Sequence, residues 1–324
     1  MIGKKIFNIG TISQGLYNSV KDGVLVCRRL FPMIISVVVF VKILSELNLI
    51  EYVALPLGPV METMGLPVEF GLVWAAAMLV NIYSSLALIP SIVLMVPTVT
   101  VEQMTILGLI ILIAHSLILE TKIAGQCGLS MTVQVVLRIA SAWIAGLSVH
   151  YACSAFGFWQ EPAAVLFEAK TVSNTFMGWV LGECYNLVQI FVIVCCVMAF
   201  NRLINVLRIS DAIGFVLLPL LRVLGISKQA TNIVIVGLVL GILYGSGVII
   251  QAIKEGRISH GDAFTTMSLM SLAHALIEDT VLLALIGGSI WGLLGVRLCL
   301  AILIGTVING IYLKRYQSTM EGTA

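Results

Sequence analysis

AHSLILET at residues 114–121 and AHALIEDT at residues 273–280 are one pattern, a histidine, an acid and a threonine set in hydrocarbon, written twice. A shift of 159 residues (273 − 114) superimposes them. With no gap it also brings Gly128 onto Gly287, Ser130 onto Ser289, Arg138 onto Arg297, Ala142 onto Ala301 and Gly146 onto Gly305. Ten of the 33 positions from 114 to 146 are identical, and Glu120 falls on Asp279. Shifts of 160 or 161 carry the match backwards, pairing IYSSLALI (82–89) with LYGSGVII (243–250), Pro59 with Pro219 and Gly65 with Gly225. The repeated unit covers about 30–150 and 190–310, and duplication of a whole apolar unit is a transporter-like pattern.

Composition sets the solvent. Of 324 residues, 60% are hydrophobic and 10% charged, against roughly 25% charged in a soluble domain. Apolar runs near 30–47, 69–97, 104–119, 129–149, 176–200, 229–253, 263–286 and 289–313 approach or exceed the ~20 residues that cross a hydrocarbon core as helix. The fold class expected is therefore an all-α polytopic membrane protein in the cytoplasmic (inner) membrane, in contact with the lipid bilayer. A net charge of +2 with scattered basic residues does not suggest nucleic-acid binding. The sequence has no phosphate-binding glycine loop, no G-x-S-x-G elbow and no H-E-x-x-H pair, so an enzyme is not expected. No cofactor is expected beyond a coupling ion, Na+ or H+. None of the seven cysteines forms a C-x-x-C pair, and burial is their simplest reading. No signal peptide is expected.

Residues 1–22 carry Lys4, Lys5 and Lys21 with Ile6, Ile9, Ile12, Leu16 and Val20 at helical spacing, which predicts an amphipathic helix on the bilayer surface. Repeat 1 is then placed at 23–150, a polar-enriched linker at 151–175, repeat 2 at 176–313 and a cytoplasmic tail at 314–324. The loops at 47–68 and 97–103 hold Glu46, Glu51, Glu62 and Glu102 in or beside them but no lysine or arginine. Their counterparts in repeat 2 hold Arg208, Arg222, Lys228, Lys254 and Arg257. Since lysine and arginine mark cytoplasmic loops, the two copies read as inverted, with both termini cytoplasmic. The same bias puts both ends of 69–97 on one side, which predicts a re-entrant helical hairpin with its tip at NIYSS (81–85) and, in repeat 2, at YGSG (244–247). Each repeat then has about three spanning helices plus a hairpin or broken helix. A full span over 69–97 is the alternative.

Charged groups near the bilayer centre cost about 2.5–3.5 kcal/mol on insertion scales and persist where they pair or face water. One set here is His115, Glu120 and Thr121; the other is His274, Glu278, Asp279 and Thr280. On an unbroken helix His274 and Glu278 share a face, whereas His115 and Glu120 lie about 140° apart. A local unwinding after the histidine would bring the matching residues together. Inverted copies would then join the two sets in one site near the midplane, together with Asn81, Tyr83, Ser84, Ser85, Tyr244, Ser246 and Gln251 at the hairpin tips. The competing reading makes the same histidines and acids an internal brace, with Arg138 and Arg297 as structural charge partners.

The duplicated unit, the Y-[SG]-S break and the A-H-[SA]-L-I-x-[ED]-T helix resemble the nucleoside recognition, or Gate, domain membrane proteins over nearly the whole chain. That family is similar to concentrative nucleoside transporters, to the membrane portion of ferrous-iron transporter B and to spore maturation proteins. The resemblance implies two inverted repeats with helical hairpins and a carrier or channel for a small polar solute, a nucleoside being one expectation. A divalent metal ion is the second, because two imidazoles and three carboxylates come from the two copies. Iron is weakened by the lack of a cytosolic GTPase and by Cys127 of GQCG facing Ile286 in the repeat. A non-transporting subunit that acts through a membrane partner, or as a homo-oligomer, is the reading of another class.

Overall fold

The computed structural model describes residues 9–96, 98–165, 175–207 and 209–321, and these are helical apart from connecting turns and one isolated bridge, Thr100 with Pro162. Lys4, Lys5, Arg208 and linker residues 166–174 lie outside the described residues, as do the side chains of Tyr244, Lys314 and Arg315. The first half runs through α1 (Ile9–Glu46), the short α2 (Ile50–Ala54) and α3 (Gly58–Thr63), α4 (Phe70–Leu79), α5 (Ile82–Val93), α6 (Val101–Ile113), α7 (Leu117–Gln126) and α8 (Met131–Phe156). The second half follows with α9 (Phe176–Val206), α10 (Ile209–Arg222), α11 (Lys228–Leu240), α12 (Ile242–Lys254), α13 (His260–Ala273) and α14 (Glu278–Ala284). A π-helical turn (Gly292–Val296) and α15 (Arg297–Glu321) complete it.

The same caps start equivalent helices. Thr100 opens α6 with a reciprocal capping box to Gln103, and Ser259, 159 residues on, opens α13 by accepting from the Asp262 amide. Gln103 Nε2 reaches back to the Gly65 carbonyl at 3.1 Å, and Asp262 Oδ1 accepts from the Ser227 amide at 3.2 Å. Each cap thus ties the N-terminus of a central helix to the turn before its hairpin.

Burial separates core from periphery. The most apolar windows are 83% buried in the α6–α7 span and 72% in α13–α14, against 17% in α1 and 22% in α9. The two broken spans are therefore central. The outer helices expose Ile35, Phe40, Val136, Val188, Val192 and Leu303, which in a bilayer form the lipid-facing surface. Five helical spans among the described residues are long and apolar enough to cross a membrane. α4 and α5 have 10 and 12 residues, or about 15 and 18 Å at 1.5 Å per residue, roughly half the hydrocarbon thickness each. They pack on one another, as α11 and α12 do. At this second pair a Cβ on Gly245 would lie 2.8 Å from the Gly237 Cα, so these two helices touch backbone to backbone.

Some contacts between the halves are reciprocal. α1 packs along α9, α6 against α13, and both cross pairs, α8 with α13 and α15 with α6, occur, as a two-fold relation requires. Two expected boundaries are corrected. Ile9–Glu46 is one uninterrupted helix, so no separate surface helix ends at residue 22; its 38 residues span about 57 Å and outreach the hydrocarbon. The linker begins as helix, since α8 continues to Phe156. Beyond it the chain folds back on the start of α6, through Val101 N to Glu161 O, Glu102 N to Trp159 O and Ala163 N to Val99 O.

Candidate functional site

Both central spans unwind immediately around the histidine. α6 ends at Ile113 and α7 begins at Leu117, with Ser116 at φ 47°. α13 ends at Ala273 and α14 begins at Glu278, with Ala275, the counterpart of Ser116, at φ 44°. A left-handed conformation costs a non-glycine residue about 1–2 kcal/mol. Its recurrence 159 residues apart (275 − 116) shows that the break is built into the unit. Glycine at 275 removes that penalty but adds chain entropy to the unfolded state. Ala275→Gly is therefore expected to stabilise by about 0.5–1 kcal/mol, read as a higher melting temperature in detergent, while Ala275→Val lowers it.

An interrupted helix frees carbonyls that must find donors. His115 Nδ1 lies 2.9 Å from the Ile111 carbonyl, and His274 Nδ1 lies 3.0 Å from the Met270 carbonyl. Arg138 donates from Nε to Ile113 O at 2.8 Å and from Nη2 to His115 O at 2.9 Å. Arg297 repeats this with Leu272 O at 2.9 Å and His274 O at 2.8 Å. Thr121 and Thr280 return their hydroxyls to Leu117 O and Leu276 O. The hairpins close the rest: the Ser116 amide donates to Ala77 O at the end of α4, and the Leu276 amide to Leu238 O at the end of α11. The arginines and threonines of the motif are thus braces, and so is one nitrogen of each histidine.

The other nitrogens converge. The two imidazole centroids are 5.1 Å apart. His115 Nε2 lies 3.3 Å and His274 Nε2 3.4 Å from one oxygen of Glu120, whose second oxygen pairs with Arg138 Nη1 at 2.6 Å. An Asp279 carboxylate oxygen and one ring nitrogen of each histidine lie within 4.8 Å of one another. His115, Glu120, His274, Thr121, Thr280, Arg138 and Arg297 are all buried. The halves differ in one respect. Asp279 is one methylene shorter than Glu120, and among the described residues no ion pair joins it to Arg297 as one joins Glu120 to Arg138.

The remaining expected residues divide. Tyr83 is half-buried and within electrostatic range of Glu278 and Asp279. Ser84 is buried with its hydroxyl unpartnered, and Ser246 is buried in α12. Asn81 is the N-cap of α5, accepting from the Ser84 amide, and Ser85 bonds back to Ile82 O. Gln251 does not join the histidines: it is exposed on α12 and donates to Glu255. Glu278 shares no face with His274, because the helix does not exist between them; it accepts from Asn201 Nδ2 of α9 at 2.6 Å. Two polar residues join the core without having been singled out. Asn201 holds Glu278, and Gln134 of α8 bridges Ser268 and Ser271 of α13 across the halves. Their signal was an amide side chain inside an apolar run.

The fold and this buried polar centre define an all-α integral membrane protein with two broken central helices. The chain is similar to the uncharacterized membrane protein YvoD of Bacillus subtilis (strain 168), with 25% identity over 322 residues, 96% of either chain. No family model matches the chain, and no solved structure does.

Proposed function

We propose that the protein is a secondary carrier or channel for a small polar solute, with one site shared by two inverted repeats of the Gate type. The observation that carries this reading is the meeting of His115 with His274, equivalent residues from the two halves, at breaks in the two most buried spans. Contact between equivalent residues is the mark of a two-fold axis. The lysine and arginine asymmetry of the matching loops supports an axis in the membrane plane, the arrangement in which transporters hold substrate at the repeat interface.

The hairpins supply the moving parts. A backbone hydrogen bond ties each break to its hairpin, Ser116 to Ala77 and Leu276 to Leu238, and the first hairpin is also held by Ser116 Oγ to Val80 O and Trp74 Nε1 to Ile110 O. Each backbone bond contributes about 0.5–1.5 kcal/mol net, and on this reading the hairpins are the elements that release in turn. Alternating release of the two gives the site access to each side in turn. A non-transporting subunit needs no convergence of acceptor atoms between the halves, so it accounts for less of what is seen.

Purified protein in proteoliposomes tests the reading, with tritiated uridine and radioactive manganese as the two solutes. Uptake of either above that of empty liposomes is expected. Permeability equal to empty liposomes for both, with folded protein in the bilayer, would remove it.

A further inference from the structure

We infer that the shared site takes a divalent first-row transition-metal ion, held by His115 Nε2, His274 Nε2, Glu120 and Asp279. As the identity of the cargo this rests on the carrier reading; as a binding site it rests on the donors alone. A backbone carbonyl can only accept a hydrogen bond. The bonds of the two Nδ1 atoms to Ile111 O and Met270 O therefore fix a hydrogen on each Nδ1. In a neutral imidazole that leaves a bare lone pair on Nε2. Both lone pairs face the same carboxylate oxygen, at 3.3 and 3.4 Å, in a place with almost no access to water.

With both imidazoles neutral, three acceptors meet without a donor and repel one another, a repulsion that a proton on one Nε2 or a metal ion among them relieves. The spacing matches one. Ligands at about 2.0–2.1 Å from a tetrahedral ion stand about 3.3–3.4 Å apart along each edge, the distances found between Glu120 and the two imidazoles. Asp279 supplies a further oxygen within 4.8 Å of one nitrogen of each ring. In the same tetrahedral geometry every pair of ligands stands about 3.3–3.4 Å apart, so a shift of up to about 1.5 Å brings Asp279 into the set. The outer shell is in place as well. Each histidine donates its far nitrogen to a backbone carbonyl, the arrangement that fixes the tautomer of metal-bound imidazole, and Arg138 orients the ligating carboxylate. Mixed imidazole and carboxylate ligands suit Mn, Fe, Co or Zn, whereas Mg and Ca take oxygen alone.

The test is equilibrium binding of Zn2+, Co2+ and Mn2+ to the full-length protein in detergent, with any affinity tag removed and the sample first treated with chelator. One ion per chain is expected, with Co2+ giving the absorption of a low-coordinate site with nitrogen ligands. His115→Ala, His274→Ala and Asp279→Asn should each weaken binding at least about 10-fold, while Gln251→Ala, remote from the cluster, should not. No stoichiometric binding, binding unchanged in both histidine variants, or binding of Mg2+ in preference would overturn the inference. Uridine uptake without metal binding would overturn it and leave the carrier reading standing. Metal binding without transport of any solute would sink the carrier reading and keep the site.

Discussion

Arg138→Met is expected to destabilise the protein by about 3–5 kcal/mol, the usual loss when one member of a buried ion pair is removed. Three groups lose their partner together: the Glu120 carboxylate and the carbonyls of Ile113 and His115. None can turn to water, since the arginine is fully buried. Arg138→Lys should recover little, because one ammonium cannot present donors along the planar fork that reaches all three acceptors. Arg138→Met combined with Glu120→Gln should recover part of the loss, since the uncompensated charge is gone and only the carbonyls stay bare. Melting temperature and monodispersity in detergent report the order: wild type, then the double variant, then either single arginine variant. An Arg138→Met variant as stable as wild type would show that the break does not depend on this brace.

If the protein is the carrier we propose, loss of either imidazole is expected to cost most of its uptake. A buried group left without its partner costs about 1–3 kcal/mol, or roughly 5- to 150-fold in affinity. His115→Ala and His274→Ala should fall by comparable factors, because each nitrogen stands almost the same distance from Glu120. Gln251→Ala should transport normally. Normal uptake by one histidine variant beside a large loss in the other would mean that the site belongs to a single half. Normal uptake in both would separate the cluster from transport altogether.

How much of this could be read from the chain depends on the range of the interaction. The doubled motif, the break after each histidine and the half-length hairpin helices follow from local residues. Repeated small, polar and helix-breaking positions in hydrocarbon leave few other solutions. The pairing of His115 with His274 needed only the assumption of a two-fold relation. The unwinding expected after the histidine is there at Ala275, and it brings Asp279, the counterpart of Glu120, near the imidazoles, while Glu278 turns to Asn201. The boundary at residue 22 failed because nothing in the chain there interrupts the helix. Asn201 with Glu278, and Gln134 with Ser268 and Ser271, join residues 77 to 137 positions apart. Such contacts are fixed by how helices pack, which no local pattern specifies.

The inversion of the two halves is tested most directly by side-specific labelling of matched positions. Glu62 and Arg222 are equivalent under the repeat (222 − 62 = 160), and both are exposed. Single cysteines placed there in a cysteine-free background meet a membrane-impermeant maleimide in intact cells and in inverted membrane vesicles. Glu62→Cys should react only from the outside and Arg222→Cys only from the cytoplasmic side. Labelling of both from one side would mean that the halves thread the bilayer in the same direction, and the shared inverted site would have to be abandoned.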